Sequence, residues 1–95
     1  MKTPCVYILA SKPNGTLYAG VTSHLARRVW EHKSSAIDGF TKKYGVHLLV
    51  YYEFHTTMPD AILREKQITR WNRAWKINLI RQMNPEWRDL YEDIA

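Results

Sequence analysis

Five side chains in this sequence carry groups that could bind or move charge at a reacting centre: Tyr7, Tyr18, Arg28, His32 and Glu65. Glu65 is the most unusual. In a helix over residues 60–72, Ala61, Ile62, Ile68 and Trp71 share one apolar arc, and Glu65 falls inside it. A carboxylate turned toward a core is costly unless it is paired, protonated or bound to a cation. Three settings fit: a salt bridge to a neighbour such as Arg64, a place at the rim of a sheet, or a hard divalent cation such as Mg²⁺. Mg²⁺ often takes only one or two protein carboxylates and completes its octahedron with water and substrate phosphate. Tyr7 and Tyr18 stand in strand-like runs, where packing is the ordinary use of a phenol ring. Arg28 and His32 are four apart, which reads either as an edge cation above a core-edge histidine or as paired functional groups. None of these observations decides the matter alone.

The elements that would position these residues can be read from the pattern. Residues 5–10 and 16–21 are β-prone, and Asn14-Gly15 between them tolerates positive φ and closes hairpins. Antiparallel neighbours joined there bring Tyr7 and Tyr18 close across the ladder. Thr22-Ser23 is a good N-cap for a helix over 24–33. On that helix Leu25, Val29 and His32 share an arc with Arg28 at its border, while Arg27 and Glu31 form an i, i+4 pair on the other side. Residues 34–45 read as a loop, and 46–54 as a central strand buried on both faces. Thr57 followed by Pro59 starts a helix over 60–72. A further helix over 74–83 ends at Asn84-Pro85, and the tail over 86–91 is expected to form a short turn of helix that pins Trp87 and Leu90 to the body. The expected fold is a small α/β (α+β) sandwich, a three-stranded, mainly antiparallel sheet flanked by helices in the order β-β-α-β-α-α.

With 95 residues there is room for one core, so residues 1–95 are expected to form a single domain. Apolar residues at 45% and charged residues at 24% exclude a disordered tail. The formal net charge is +5, and from Arg64 to Arg81 six basic residues accompany one acid. That concentration suits a phosphate-binding surface, although solubility alone can also make a small protein basic. A lone cysteine, Cys5, excludes an internal disulfide and reads as a small buried hydrophobe. No apolar run approaches the ~20 residues of a membrane span, so a cytoplasmic protein without membrane contact is expected.

Taken in order, these residues resemble a known family. Val6-Tyr7-Ile8, with Tyr18-Ala19-Gly20 eleven residues later, is similar to the two tripeptides that name the GIY-YIG nucleases. The first helix of that family carries an Arg followed four positions later by His, which selects Arg28 with His32. The stretch Arg64-Glu65-Lys66-Gln67-Ile68, followed by Trp71, Arg73 and Lys76, resembles the helix that bears the family's metal-binding glutamate. Phe-Thr-Lys-Lys-Tyr and Leu-Val-Tyr-Tyr-Glu resemble the small stand-alone bacterial members. Cys5 replaces the leading glycine and Ala19 the middle residue of the second tripeptide; neither position supplies a reacting group. Asn72 and Asn78 are both candidates for a late asparagine, and neither is carried over.

The resemblance implies a Mg²⁺- or Mn²⁺-dependent endonuclease acting on DNA that is branched, damaged or single-stranded, in repair or recombination. A partner protein could supply specificity. Glu65 would hold the metal and Arg28 the scissile phosphate. Tyr7 would act on the attacking water as general base, with Tyr18 orienting water or phosphate beside it. His32 would support Tyr18 or relay a proton. Lys42, Lys43, Lys66, Arg70, Arg73 and Lys76 would contact the DNA backbone. Two other classes compete: a nucleic-acid-binding module of the same fold without useful cleavage, and a protein-interaction domain whose basic surface is incidental.

Overall fold

The run Cys5–Ala10 contains no charged side chain, and it becomes the centre of the sheet. In the computed structural model, which describes residues 2–37 and 39–95, this strand (β1) is buried at every position. It pairs antiparallel on one side with β2 (Leu17–Thr22) and on the other with β3 (Leu48–Phe54), giving the order β2-β1-β3. Because side chains alternate across a sheet, Val6, Ile8 and Ala10 enter one core, with Ala61 and Ile68 of α3 (Met58–Arg70) and Ile80 of α4 (Arg73–Met83). Cys5, Tyr7 and Leu9 enter the opposite core, with Leu25 and Val29 of α1 (Leu25–Lys33) and with Leu90. The fold is therefore α+β, a three-stranded antiparallel sheet with helices on both faces.

Several local expectations need correction. The segment 34–45 is not all loop: Phe40–Tyr44 forms a short helix, α2, bracketed by Gly39 and Gly45 at φ 114° and 65°. The short helical turn of the tail lies later than expected, at Tyr91–Ile94 (α5), so the order is β-β-α-α-β-α-α-α. Helices of five and four residues are too short to leave a 3.6-residue pattern. The hairpin is not closed by a tight Asn-Gly pair either. The Gly15 N–H donates to the Lys12 carbonyl across Pro13-Asn14, and Asn14 alone takes the positive φ, at 59°. Helix α1 begins at Leu25 without a side-chain cap, and the Thr22 hydroxyl instead accepts from the His24 N–H one turn earlier.

The largest correction concerns β3, which is an edge strand. A register shift between Ile8 and Leu9 leaves Val50 as an extra residue, so that Val50 and Tyr51 enter the same core. A bulge of this kind breaks strict alternation, and the strand still packs on both faces as expected, with Leu49 in the opposite core. The C-terminal segment then covers the exposed edge. Leu90 N–H donates to the Leu49 carbonyl, Asp89 Oδ1 accepts from Leu49 N–H, and Asn84 Nδ2 donates to the Val50 carbonyl. Lys33 pairs with Asp89 and ties α1 to the same segment. Among the described residues no helix is long and apolar enough to cross a membrane.

Asn84 is the buried centre of this closure. Its amide also donates to the Arg88 carbonyl at 2.7 Å, and its Oδ1 accepts from Arg88 N–H at 3.0 Å. Asn84→Ala should lower the unfolding free energy by about 2–3 kcal/mol, because it strands buried backbone groups. Urea denaturation measures this, and a change below about 0.5 kcal/mol, the scale of an ordinary surface substitution, would show that the closure does not depend on Asn84.

Candidate active site

Tyr7 points from β1 toward α1 and is only 2% exposed. A buried phenol needs a hydrogen-bond partner. His32, two helical turns beyond Leu25 on the same face of α1, supplies it: Tyr7 Oη lies 3.1 Å from His32 Nε2, and His32 Nδ1 lies 2.9 Å from Thr41 Oγ1. His32 and Thr41 are each 3% exposed, so the three groups form a closed chain inside the protein. Burial is the main cause that lowers the His32 pKa, and the Arg28 charge lowers it further. Burial pushes the Tyr7 phenol well above its ordinary value, with Tyr18 adding to the rise and Arg28 opposing it. Both groups rest neutral. Either the phenol donates to Nε2 while Nδ1–H donates to Thr41, or the Thr41 hydroxyl donates to Nδ1 while Nε2–H donates to the phenol oxygen.

The residue opposite Tyr7 on β2 is Gly20. A Cβ there would stand 2.5 Å from both Cζ and Oη of Tyr7. Only glycine leaves room for the ring, which is a packing requirement rather than a demand for unusual φ. Tyr18 is two residues away on the same face, diagonal to Tyr7 rather than directly across from it. Its ring centroid is 6.4 Å from Tyr7 and 5.6 Å from His32. On its outer side it stacks on Phe40 at 6.2 Å and 27°.

Strand β2 is the open edge of the sheet, and two clefts lie along it. One, of about 430 Å³, is bounded by Leu17, Tyr18, Ala19, Phe40, Glu65, Thr69 and Lys76. It straddles the edge, taking Tyr18 from one face and Glu65 from the helix on the other. The Thr69 hydroxyl donates to Glu65 Oε2 at 3.2 Å, which leaves the carboxylate with acceptor capacity toward the cleft. Arg64 is not the partner of Glu65. It binds Glu53 through Nε at 3.0 and 3.2 Å, donates to Gln67, and lies over the Trp71 ring. The second cleft, about 370 Å³, is bounded by Thr22, Ser23, His24, Arg27, Arg28 and Glu31. The side chain of Arg28 is 42% exposed against 75% for Arg27, as the helical wheel predicts. Both approach Glu31 only at 3.7 Å, a weak surface pairing that leaves guanidinium donors available.

The basic residues are not equivalent. Lys76 borders the Glu65 cleft. Lys42 and Lys43 are exposed on α2, and Lys66 and Arg70 are exposed on α3. Arg73 is used differently from a phosphate contact: its Nη2 donates to the carbonyls of Asn14 and Gly15 and staples α4 to the β1–β2 loop. No group of three or more His, Cys, Asp or Glu suited to a metal occurs among the described residues. That donor set does not suit zinc, whose protein sites take three or four such ligands. One carboxylate facing an open cleft does suit a hard cation that keeps most of its water and substrate ligands. Thr41, Gly20, Thr69 and Phe40 all shape the site; Gly20, Phe40 and Thr41 lie within the sequence motifs without an assigned role, and Thr69 lies outside them. Thr69 could have been found as the i+4 neighbour of Glu65, and Gly20 from the hairpin register. Thr41 sits in a helix too short to show periodicity, so its pairing with His32 gives no local signal.

Three comparisons bear on this arrangement. Residues 3–78 match the GIY-YIG catalytic domain. A UPF0213 protein of Syntrophus aciditrophicus (strain SB) is 38% identical over 82 residues, covering 85% of this chain and 92% of the relative. A UPF0213 protein of Staphylococcus aureus (strain Mu3) is 34% identical over 83 residues, covering 86% and 99%. The solution NMR structure of a UPF0213 protein from Bacillus halodurans superposes with a TM-score of 0.58 at 25% identity, over 92% of each chain.

Two measurements test the buried chain. Gly20→Ala should displace the Tyr7 ring and cost about 1–3 kcal/mol through overpacking; an unchanged thermal midpoint would mean that the ring is not confined. Because the folded protein holds His32 below its ordinary value of 6.5, the unfolded chain binds more protons as the solution becomes acid. Stability should therefore fall as pH drops through 6.5 and level off below the folded value. The lowered Glu53 contributes only below about 4.5. Urea midpoints between pH 7 and pH 5 should show a smaller slope in His32→Gln than in the wild type, and equal slopes would exclude His32 as the source.

Proposed function

The chain belongs to the GIY-YIG family, whose domain is a nuclease-type catalytic domain, and from that premise we propose that it is a metal-dependent endonuclease hydrolysing DNA phosphodiester bonds at the open edge of β2. One observation carries the reading. Tyr18 and Glu65, from opposite faces of the sheet, border a single cleft, and the buried Tyr7–His32 pair lies in ring contact with Tyr18.

Phosphodiester hydrolysis needs an activated water, an electrophile for the phosphoryl oxygens and stabilisation of developing charge. Glu65, oriented by Thr69, would hold Mg²⁺ or Mn²⁺, which supplies Lewis-acid stabilisation when bound. Lys76 is the cation that borders the Glu65 cleft, and Arg28, on the neighbouring cleft along the same edge, offers a permanently charged, forked donor to a phosphate that spans the two. Tyr18 orients the water or phosphate. Tyr7 lies behind Tyr18 rather than in the cleft wall, and in the proposed step it takes the proton of an attacking water admitted beside Tyr18 while passing its own to Nε2 of neutral His32, so that no free phenolate forms in a buried setting. His32 thus serves Tyr7 by hydrogen bond, and Tyr18 by ring contact alone. A second reading, a nucleic-acid-binding module without cleavage, draws on the near-complete burial of Tyr7.

A nicking assay on supercoiled, branched and single-stranded DNA separates the two. With Mg²⁺ or Mn²⁺ the wild type should cut, chelation should abolish cutting, and Glu65→Ala and Arg28→Ala should each lower the rate by about 100-fold or more. Cutting that persists undiminished in both variants would overturn the site assignment. Retardation of DNA without cutting under either metal would favour the binding module.

A further inference from the structure

Next to the Glu65 cleft the chain exposes two large rings that its own cores do not use. Phe40 is 45% exposed and Tyr44 50% exposed, on a helix whose buried residue is Thr41. The two rings touch, with centroids 4.8 Å apart, and Phe40 continues inward onto Tyr18. Phe40 also borders the cleft that contains Glu65. Tyr18, Phe40 and Tyr44 therefore form a continuous aromatic strip that leads from the cleft onto the surface. Lysines are interleaved with it. Lys42 and Lys43 border the same shallow depression as the two rings, and the Lys43 ammonium lies 5.4 Å from the Tyr44 centroid.

Aromatic faces alternating with ammonium groups fit one ligand chemistry well: a nucleotide whose base stacks on a ring while its phosphate meets a cation. A paired base offers no free face, since its neighbours in the duplex cover both sides. The rings would meet only backbone there. An apolar protein partner fits poorly, because covering the strip would take two ammonium groups out of water. We propose that Phe40 and Tyr44, with Lys42 and Lys43, form a stacking platform for an unpaired base next to the phosphate held in the Glu65 cleft, so that the DNA is single-stranded or frayed where it is cut. The position of that phosphate rests on the nuclease reading; the stacking itself does not.

Binding and cutting can be measured separately. In chelator, the full chain is titrated into a short DNA strand carrying 2-aminopurine, into the same strand fully paired, and into a strand with an abasic position there. The wild type should quench the single strand and bind it about 10-fold more tightly than the abasic strand, the scale of one stacked base. Phe40→Ala and Tyr44→Ala should each lose about that factor on the normal strand and little on the abasic one, while Phe40→Tyr retains it. Circular dichroism verifies folding, and Tyr44→Ala, at a more exposed ring, guards against a packing effect at Phe40. Unchanged single-strand binding in both alanine variants, or equal losses on normal and abasic strands, would overturn the platform. Stacking without cutting under Mg²⁺ or Mn²⁺ would uphold the platform and sink the nuclease reading. Cutting of duplex at the single-strand rate, unaffected by Phe40→Ala, would do the reverse.

Discussion

The hydrogen bond between Tyr7 and His32 is the constraint from which much of the arrangement follows. Strand β1 is buried along its whole length, so the Tyr7 hydroxyl has no access to bulk water and must find its partner within the chain. That requirement fixes which face α1 turns to the sheet. It also draws α2 over the same core, since the far nitrogen of His32 is satisfied by Thr41. It leaves Gly20 as the residue that can lie under the ring. Replacing any of these groups disturbs the others, because an unpaired polar group in this core costs more than the hydrogen bond itself contributes.

The sheet has two edges, and the chain treats them differently. The β3 edge, bent by its bulge, is closed by Asn84, Asp89 and Leu90, which satisfy the backbone groups at Leu49 and Val50. Near it, Glu53 gathers Tyr51, His55 and Arg64 and fastens α3 to β3. Edges left unpaired invite unwanted strand addition, and this closure removes one of them. The β2 edge remains accessible between α1 and α2 on one side and α3 and α4 on the other. The two clefts, one bordered by Tyr18 and Glu65 and the other by Arg28, lie along that second edge. The Arg64–Glu53 pair also bears on the site: by taking up Arg64, it leaves the Glu65 carboxylate to Thr69 and the cleft.

The sequence made the main elements legible because their signals are local and strong. β1 and the apolar arc of α1 appear where the periodicity placed them, and Thr57 caps α3 with its hydroxyl accepting from Asp60 N–H. The separation of Arg28 from Arg27 followed from the helical wheel alone. What was not legible depended on register or on distant residues. β3 packs on both faces, as its apolar run suggests, but nothing in that run tells an edge strand covered by the C-terminal segment from a central one. Thr41 acquires its importance only when α2 folds onto His32, and Arg73 looks like any surface cation until the β1–β2 loop meets α4. Tyr7 and Tyr18 were expected side by side, whereas the register sets them diagonally, with Gly20 taking the place opposite Tyr7.

The electrostatics of Arg28 connect binding to the proposed proton transfer. Its charge favours the phenolate of Tyr7 and disfavours the imidazolium of His32, yet burial is the larger cause for both residues. Burial resists the creation of charge on either one, and moving a proton from Tyr7 to His32 while Tyr7 accepts another from water creates it only on the imidazole. The Arg28 charge opposes that imidazolium in the absence of substrate. A phosphodiester anion paired with Arg28 would offset this repulsion and make His32 a better acceptor at the moment a substrate is in place. The same anion would withdraw the help that Arg28 gives to a free phenolate. A mechanism built on Tyr7 in this buried setting therefore works best when the phenol never carries a full charge, and the 3.1 Å contact with His32 provides the route by which it need not.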